Sequence, residues 1–297
     1  MPAIIAPPRS LQRAMFALAG RTLAVDVEDV SATHILETTY ANARVSDSRS
    51  ANHTASLRRL GDGRLHVRFD RRTLSIGDAG AAVPLLSAYY AAKEVFARFA
   101  IAHPGSMAFY GALVEIHGTA VLILGPTTIG KTLFALHLAW QGATFLGDET
   151  AVLELRSTTI SALARKPALR EPALAFLPSD DMRARVMAAD DVLETDRGRL
   201  WYALAAPELG GVAPSDRSFR LGAVCVIRDR ADDFQMRRVE IGQALPALMQ
   251  RAYVRPSQLT ELSGLRRAMR AVPQYEITLA DPQHSAAGFL REVRTCA

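Results

Sequence analysis

An α/β fold with a smaller α+β region at its N-terminus is what the order of patterns in this chain predicts. Two short runs, Ala112 to Ile116 and Thr119 to Leu124, lead into a glycine-bounded loop, and Leu133 to Gln141 follows with helical spacing before a short strand from Ala143 to Leu146. Strand, loop, helix and strand in that order make a βαβ unit. Upstream, from Arg21 to about Gly80, short alternating segments sit among polar turns, the pattern of a small α+β region.

In chain order, Thr22 to Val27 and Leu65 to Phe69 alternate as strands, Ala32 to Ala41 has helical character, and Gly61-Asp62-Gly63 is a turn. Val83 to Ala102 places Leu85, Ala88, Tyr89, Ala92, Val95, Phe96 and Phe99 at the spacing of one helical face, and His103-Pro104-Gly105 ends it. The two regions are therefore divided as 1–105 and 106–297. His117-Gly118 between the two runs predicts a hairpin or a bent strand pair, and Gly142 stands where a helix C-cap would. Residues 157–220, punctuated by Pro167, Pro172 and Pro178, are expected to be loop-rich, with the Asp190-Asp191 pair exposed to solvent. Leu221 to Ile227 is a buried strand, Gln243 to Ala252 and Gln258 to Met269 are helices, Tyr275 to Leu279 is a strand, and Ser285 to Val293 closes the chain as a helix.

Composition narrows the function classes. At 297 residues, 49% hydrophobic and 22% charged, the chain has the makeup of a folded protein with ample core. Its apolar runs fall short of the roughly 20 residues that span a bilayer, so no membrane partner is expected. Cys225 and Cys296 belong to no metal-binding or redox motif, which fits a reducing cytoplasm, and the charges Arg9 and Arg13 break up the N-terminal apolar stretch that an export signal would need. The net charge of +5 is spread along the chain without a basic run interleaved with aromatics, so nucleic acid is not an expected partner. Of 35 basic residues only Lys93, Lys131 and Lys166 are lysines. Where arginine supplies nearly all positive charge, a lysine invites a chemical reason.

Gly125-Pro126-Thr127-Thr128-Ile129-Gly130-Lys131-Thr132 matches the phosphate-loop pattern GxxxxGK[ST] at every fixed position, with an apolar strand before it and an apolar-periodic helix after. Backbone N–H groups from Thr127 to Thr132 would line a concavity at a helix N-terminus, where the dipole favours phosphate oxygens. Lys131 would reach the β- and γ-phosphates, and the Thr132 hydroxyl would ligate Mg²⁺. Asp148 and Glu149 follow Lys131 by only 17 and 18 positions. A strand returning parallel to the first would bring these acids to the same sheet edge as the loop, one near a metal and the other near an attacking hydroxyl.

The segment Tyr110 to Gly125, the loop after it, Ala135-Leu136, Gly142 and the Asp148-Glu149 pair resemble the catalytic core of bacterial HPr kinase/phosphorylase, and more broadly the HPr-kinase-related proteins, among them kinases that tailor lasso-peptide precursors. The likeness is marked over about 110–155 and faint over 215–295. It implies a P-loop, phosphoenolpyruvate-carboxykinase-like catalytic domain that transfers phosphate from ATP, with Mg²⁺, to a serine or threonine hydroxyl of a peptide or small protein. Carried over by position, Lys131 and Thr132 contact phosphate and metal, Asp148 is the base, and Glu149 is the metal-associated acid. The family also tends to form homo-oligomers, and the N-terminal region would select or position the acceptor. Three positions depart from the family: Tyr110 stands for a histidine, Thr128 for a loop glycine and Glu149 for an aspartate. Arg165, Lys166, Arg170, Arg217 and Arg220 are the candidates for a further cation on the transferred phosphate. Two other readings remain: a kinase acting on a sugar or amino-acid hydroxyl, and a nucleotide-binding protein without transfer.

Overall fold

The computed structural model describes residues 11–47, 49–60, 64–76, 84–189, 192–195, 198–202, 204, 208, 215–253 and 261–295. Gly61-Asp62-Gly63, Asp190-Asp191, Cys296 and the start of the expected 258–269 helix lie outside these residues.

The N-terminal part forms a six-stranded sheet from β1 (Gln12–Leu18), β2 (Arg21–Val27), β3 (Arg44–Val45), β4 (His53–Arg59), β5 (Leu65–Phe69) and β6 (Arg72–Ile76), in the order β3-β1-β2-β4-β5-β6. β1 and β2 are joined by Ala19-Gly20, both at positive φ (50° and 71°), the left-handed pair that a two-residue hairpin turn requires. Two helices cover this sheet: α1 (Val30–Thr39), capped by the Asp29 carboxylate accepting from Ala32 N at 2.9 Å, and α2 (Pro84–Ile101). Ala88, Ala91, Ala92, Val95, Phe96 and Phe99 of α2 recur at helical spacing and are buried with Phe16, Leu23, Val25, Leu57 and Val67 of the strands. The same core takes in Val152, Leu163, Leu200 and Tyr202, so α2 lies between the N-terminal sheet and the rest of the chain. Buried His103 has Nδ1 2.9 Å from the Phe99 carbonyl and Nε2 2.9 Å from the Leu18 carbonyl, tying the end of α2 to β1.

Downstream, nine strands make a second sheet: β7 (Ser106–Phe109), β8 (Ala112–Ile116), β9 (Thr119–Leu124), β10 (Thr144–Gly147), β11 (Ala151–Glu154), β12 (Thr159–Ala162), and, beyond a small three-stranded sheet of β13 (Leu169–Arg170), β14 (Val192–Thr195) and β15 (Gly198–Trp201), β16 (Phe219–Arg230), β17 (Gln235–Val239) and β18 (Gln274–Leu279). Its helices are α3 (Lys131–Trp140), α4 (Glu171–Leu174), α5 (Asp180–Met187), α6 (Ile241–Arg251), α7 (Leu262–Met269) and α8 (Pro282–Thr295). The long strand β16 runs parallel to β9 on one side and to β18 on the other, so all three point their C-terminal ends at one sheet edge. In open α/β sheets ligands bind at that edge.

One expectation is refined and one corrected. β10 does not pair with β9: β8 lies between them, antiparallel to both. The β8–β9 hairpin, turning through His117 and Gly118 at φ 52° and 84°, occupies the neighbouring position, yet β10 still runs in the direction of β9, and the acids after it reach the edge expected. The described residues of 157–220 also hold more regular structure than a loop-rich segment would: β12 extends the large sheet, β13-β15-β14 form a sheet of their own, and Ser179 caps α5 by accepting from Met182 N at 3.1 Å. Strands of two to four residues carry too little alternation to be read from sequence.

Candidate active site

The buried strand β9 delivers the loop. Gly125, at φ 154°, faces β16 so closely that a Cβ would stand 3.0 Å from the Ile227 carbonyl oxygen. Gly130, at φ 110°, caps α3 in the left-handed region where a side chain is strained. Pro126 and Ile129 shape the bend, Ile129 N donating to the Pro126 carbonyl at 3.5 Å while the Ile129 side chain packs against the core beneath α3. Thr128 has φ 69°, a left-handed conformation that suits glycine better than threonine.

Lys131 opens α3 and is buried, its ammonium donating to the carbonyls of Gly125 at 3.1 Å and Pro126 at 2.8 Å. Burial, and next the Arg251 guanidinium, depress this lysine to about 8 despite the pull of Asp148 and Glu149. Arg251 is held nearby because its carbonyl accepts from Tyr110 N at 2.6 Å, and the Tyr110 ring lies 5.3 Å from the Lys131 ammonium.

At the end of β10, the Thr132 hydroxyl donates to Asp148 Oδ2 at 3.0 Å. Asp148 Oδ1 accepts from Arg165 Nε at 2.8 Å, and Arg165 Nη1 lies 2.6 Å from Glu149 Oε2. Glu149 Oε1 accepts from Lys93 Nζ at 2.9 Å and from the Tyr110 hydroxyl at 3.3 Å. Arg165 is 2% exposed, its guanidinium carbon 5.9 Å from the centre of the Tyr202 ring. Burial would push the Glu149 carboxyl up, but Arg165 and then Lys93 outweigh it and hold the carboxyl below its usual range. For Lys93, burial is likewise outweighed by Glu149, so its ammonium titrates above the ordinary lysine value.

The sequence candidates meet in one cavity of about 620 Å³, lined by Thr127, Thr128, Gly130, Lys131, Thr132, Asp148, Glu149, Arg165 and Arg170. Gly125, Pro126 and Ile129 build the loop behind it. One assignment shifts: the acid beside Thr132 is Asp148, whereas Glu149, expected at the metal, has its oxygens engaged by Lys93 and Arg165. Neighbouring side chains leave extended backbone on opposite sides, and Glu149 adds a left-handed φ of 72°. Arg217 and Arg220 do not join the cavity. Arg217 stacks on Phe219 at 4.9 Å, and Arg220 pairs with Thr119 at the start of β9, the sheet edge opposite the loop. Lys166 is not among the lining residues either; its backbone N–H bonds the Thr39 carbonyl at 2.8 Å. Sequence reasoning missed Lys93, Tyr89 and Tyr90 on α2 and Arg230 at the end of β16. For Lys93 the available signal was the scarcity of lysine.

Among the described residues no group of three or more His, Cys, Asp or Glu could cage a metal ion, and no helix is long and apolar enough to cross a membrane. Mg²⁺ needs no such cage, since it takes one or two carboxylates and completes its shell with phosphate oxygens and water. The Thr132 hydroxyl and Asp148 carboxylate fit that donor set.

No protein-family model matches this chain, and no curated protein matches it. Among solved structures it is similar to the Hpr(Ser) kinase/phosphatase from Coxiella burnetii, at 13% identity and a TM-score of 0.31, over 63% of this chain and 96% of that one. A likeness at that score carries no argument about activity, so the functional reading rests on the site's own geometry.

Proposed function

We propose that this chain is an ATP-dependent phosphotransferase acting on a serine or threonine hydroxyl of a peptide or small protein. The observation that carries the reading is the Thr132–Asp148 hydrogen bond at 3.0 Å beside a glycine-bounded loop whose lysine is buried on the loop's own carbonyls. Cation, metal-type donors and a carboxylate thus share one cavity at the C-terminal edge of parallel strands.

In this reading the loop from Gly125 to Thr132 cradles the triphosphate and the Lys131 ammonium leaves the Gly125 and Pro126 carbonyls for phosphate oxygens. Thr132 and Asp148 would hold Mg²⁺, which when bound neutralises charge on the phosphates. Asp148 accepts the proton of the acceptor hydroxyl as the new O–P bond forms and the bond from the γ-phosphorus to the bridging oxygen breaks, releasing ADP. Arg165 holds Asp148 in place through its Nε at 2.8 Å. The acceptor enters past Tyr90, 41% exposed on α2, which gives the N-terminal region its part in placing the substrate.

The test is ATP·Mg²⁺ binding and phosphopeptide mass shift with candidate acceptors for wild type, Lys131→Ala and Asp148→Asn. The expected pattern is loss of binding in the first variant and, in the second, transfer reduced at least ~100-fold with ATP·Mg²⁺ affinity weakened far less, since asparagine keeps one oxygen for the metal but cannot take the proton. Transfer by Asp148→Asn at the wild-type rate removes Asp148 as the base.

A further inference from the structure

Asp148 and Glu149 are adjacent in sequence, both nearly enclosed, with side chains 4% and 12% exposed, and Arg165 stretches its single positive charge across both carboxylates, 2.8 Å from one and 2.6 Å from the other. A buried cluster carrying uncompensated charge is costly. The balance is made by a residue from the other part of the fold. Lys93, 56 positions upstream on α2, places its ammonium 2.9 Å from Glu149 Oε1 and 5.4 and 5.9 Å from the centres of the Tyr89 and Tyr110 rings.

We propose that Lys93 is a positioning residue of the phosphotransfer site: by sharing Glu149 with Arg165 it lets the one guanidinium bridge both carboxylates, so that Asp148 keeps the orientation in which it meets Thr132. The inference rests on the phosphotransferase reading above and adds a residue from the N-terminal region to it. Three contacts converge on Glu149 besides Lys93. They are Arg165, the Tyr110 hydroxyl, and the Tyr253 hydroxyl, which donates to the Glu149 carbonyl at 3.4 Å. Glu149 sits at a left-handed φ of 72°, a conformation an L side chain keeps only where its surroundings over-determine it. Without Lys93, Arg165 is the one cation left in contact with Glu149, and any shift of the guanidinium further toward that carboxylate lengthens its 2.8 Å contact with Asp148.

Steady-state kinetics on the full chain tests this with Lys93→Met, Lys93→Arg, Glu149→Gln and the Lys93→Met/Glu149→Gln double variant. Lys93→Met should lower kcat by ~10- to 100-fold, the range for residues that orient a site's ligands, with KM for ATP changed less than about threefold. Lys93→Arg should recover most of kcat, and the double variant should lose no more than the worse single one, because both changes break the same contact. Lys93→Met at wild-type kcat overturns the proposal, and so does a rise in KM with kcat intact, which would make Lys93 a substrate contact. Equal loss of activity and of thermal stability in Lys93→Met and Lys93→Arg overturns it too, as the mark of a purely structural pair. A wild type that binds ATP·Mg²⁺ but transfers to no acceptor and does not turn the nucleotide over removes the phosphotransferase reading itself, and this proposal with it.

Discussion

Gly147 lies against Leu163 so closely that a Cβ on it would stand 2.6 Å from the Leu163 carbonyl oxygen and 3.0 Å from the Ala162 Cβ. This contact brings the acid turn onto the segment that carries Arg165, two residues past Leu163. Gly147→Ala must push the two segments apart. The expected outcome is a loss of ~1–3 kcal/mol in urea unfolding, the usual scale for overpacking, and a fall in transfer rate, since Arg165 is drawn from Asp148. Unchanged stability would mean that the close approach does not hold the turn.

Arg165 is itself the keystone of the buried charges. Arg165→Met takes from the enclosed Asp148 its ion-pair partner and leaves Glu149 on Lys93, and should cost ~3–5 kcal/mol in chemical denaturation. Replacing the acids as well, in Asp148→Asn/Glu149→Gln/Arg165→Met, should restore much of that loss without restoring transfer.

Lys131 gives the site a pH signature. Burial holds it at about 8 in the empty protein, whereas a bound phosphate favours the charged form. Below that value the lysine is already protonated, so affinity for ATP is flat with respect to this group. Above it, binding must take up a proton, and affinity should fall by up to about tenfold per pH unit. Calorimetric titrations from neutral to alkaline pH check this, with the slope absent in Lys131→Arg, whose guanidinium stays charged throughout that range. The folding linkage has the opposite sense: the unfolded chain keeps the proton up to the ordinary lysine value of 10.5, so this lysine's contribution to stability rises with pH between about 8 and 10.5.

At Thr128, φ 69° strains an ordinary side chain by ~1–2 kcal/mol, while glycine loosens the unfolded chain by ~0.4–1 kcal/mol. Thr128→Gly should therefore leave the protein as stable as before or slightly more so, with ATP affinity retained. A glycine put into an exposed helix interior would instead destabilise it. A clear drop in Tm would show that the Thr128 side chain contributes more than its backbone strain removes.

How much of this was visible beforehand follows from where the information sits. The loop from Gly125 to Thr132 could be read because backbone geometry dictates its glycines and chemistry its lysine, and the His117-Gly118 turn announced its hairpin. The direction of β10 was also readable, though not the intervening β8. The pairing of Lys93 with Glu149 spans two sheets and leaves no local pattern, only an unusual residue choice. Arg220 misled for the converse reason: it is close in sequence to the buried part of β16, but at the end of the strand away from the loop, while Arg230 reaches the cavity from the other end.

The most direct measurement is a crystal structure with a non-hydrolysable ATP analogue and Mg²⁺. The account predicts the triphosphate within the Gly125–Thr132 bend, the Lys131 ammonium moved from the loop carbonyls to phosphate, and the metal between the Thr132 hydroxyl and the Asp148 carboxylate. Nucleotide bound elsewhere, or a bend left empty with Lys131 still on Gly125 and Pro126 at saturating analogue, would contradict it.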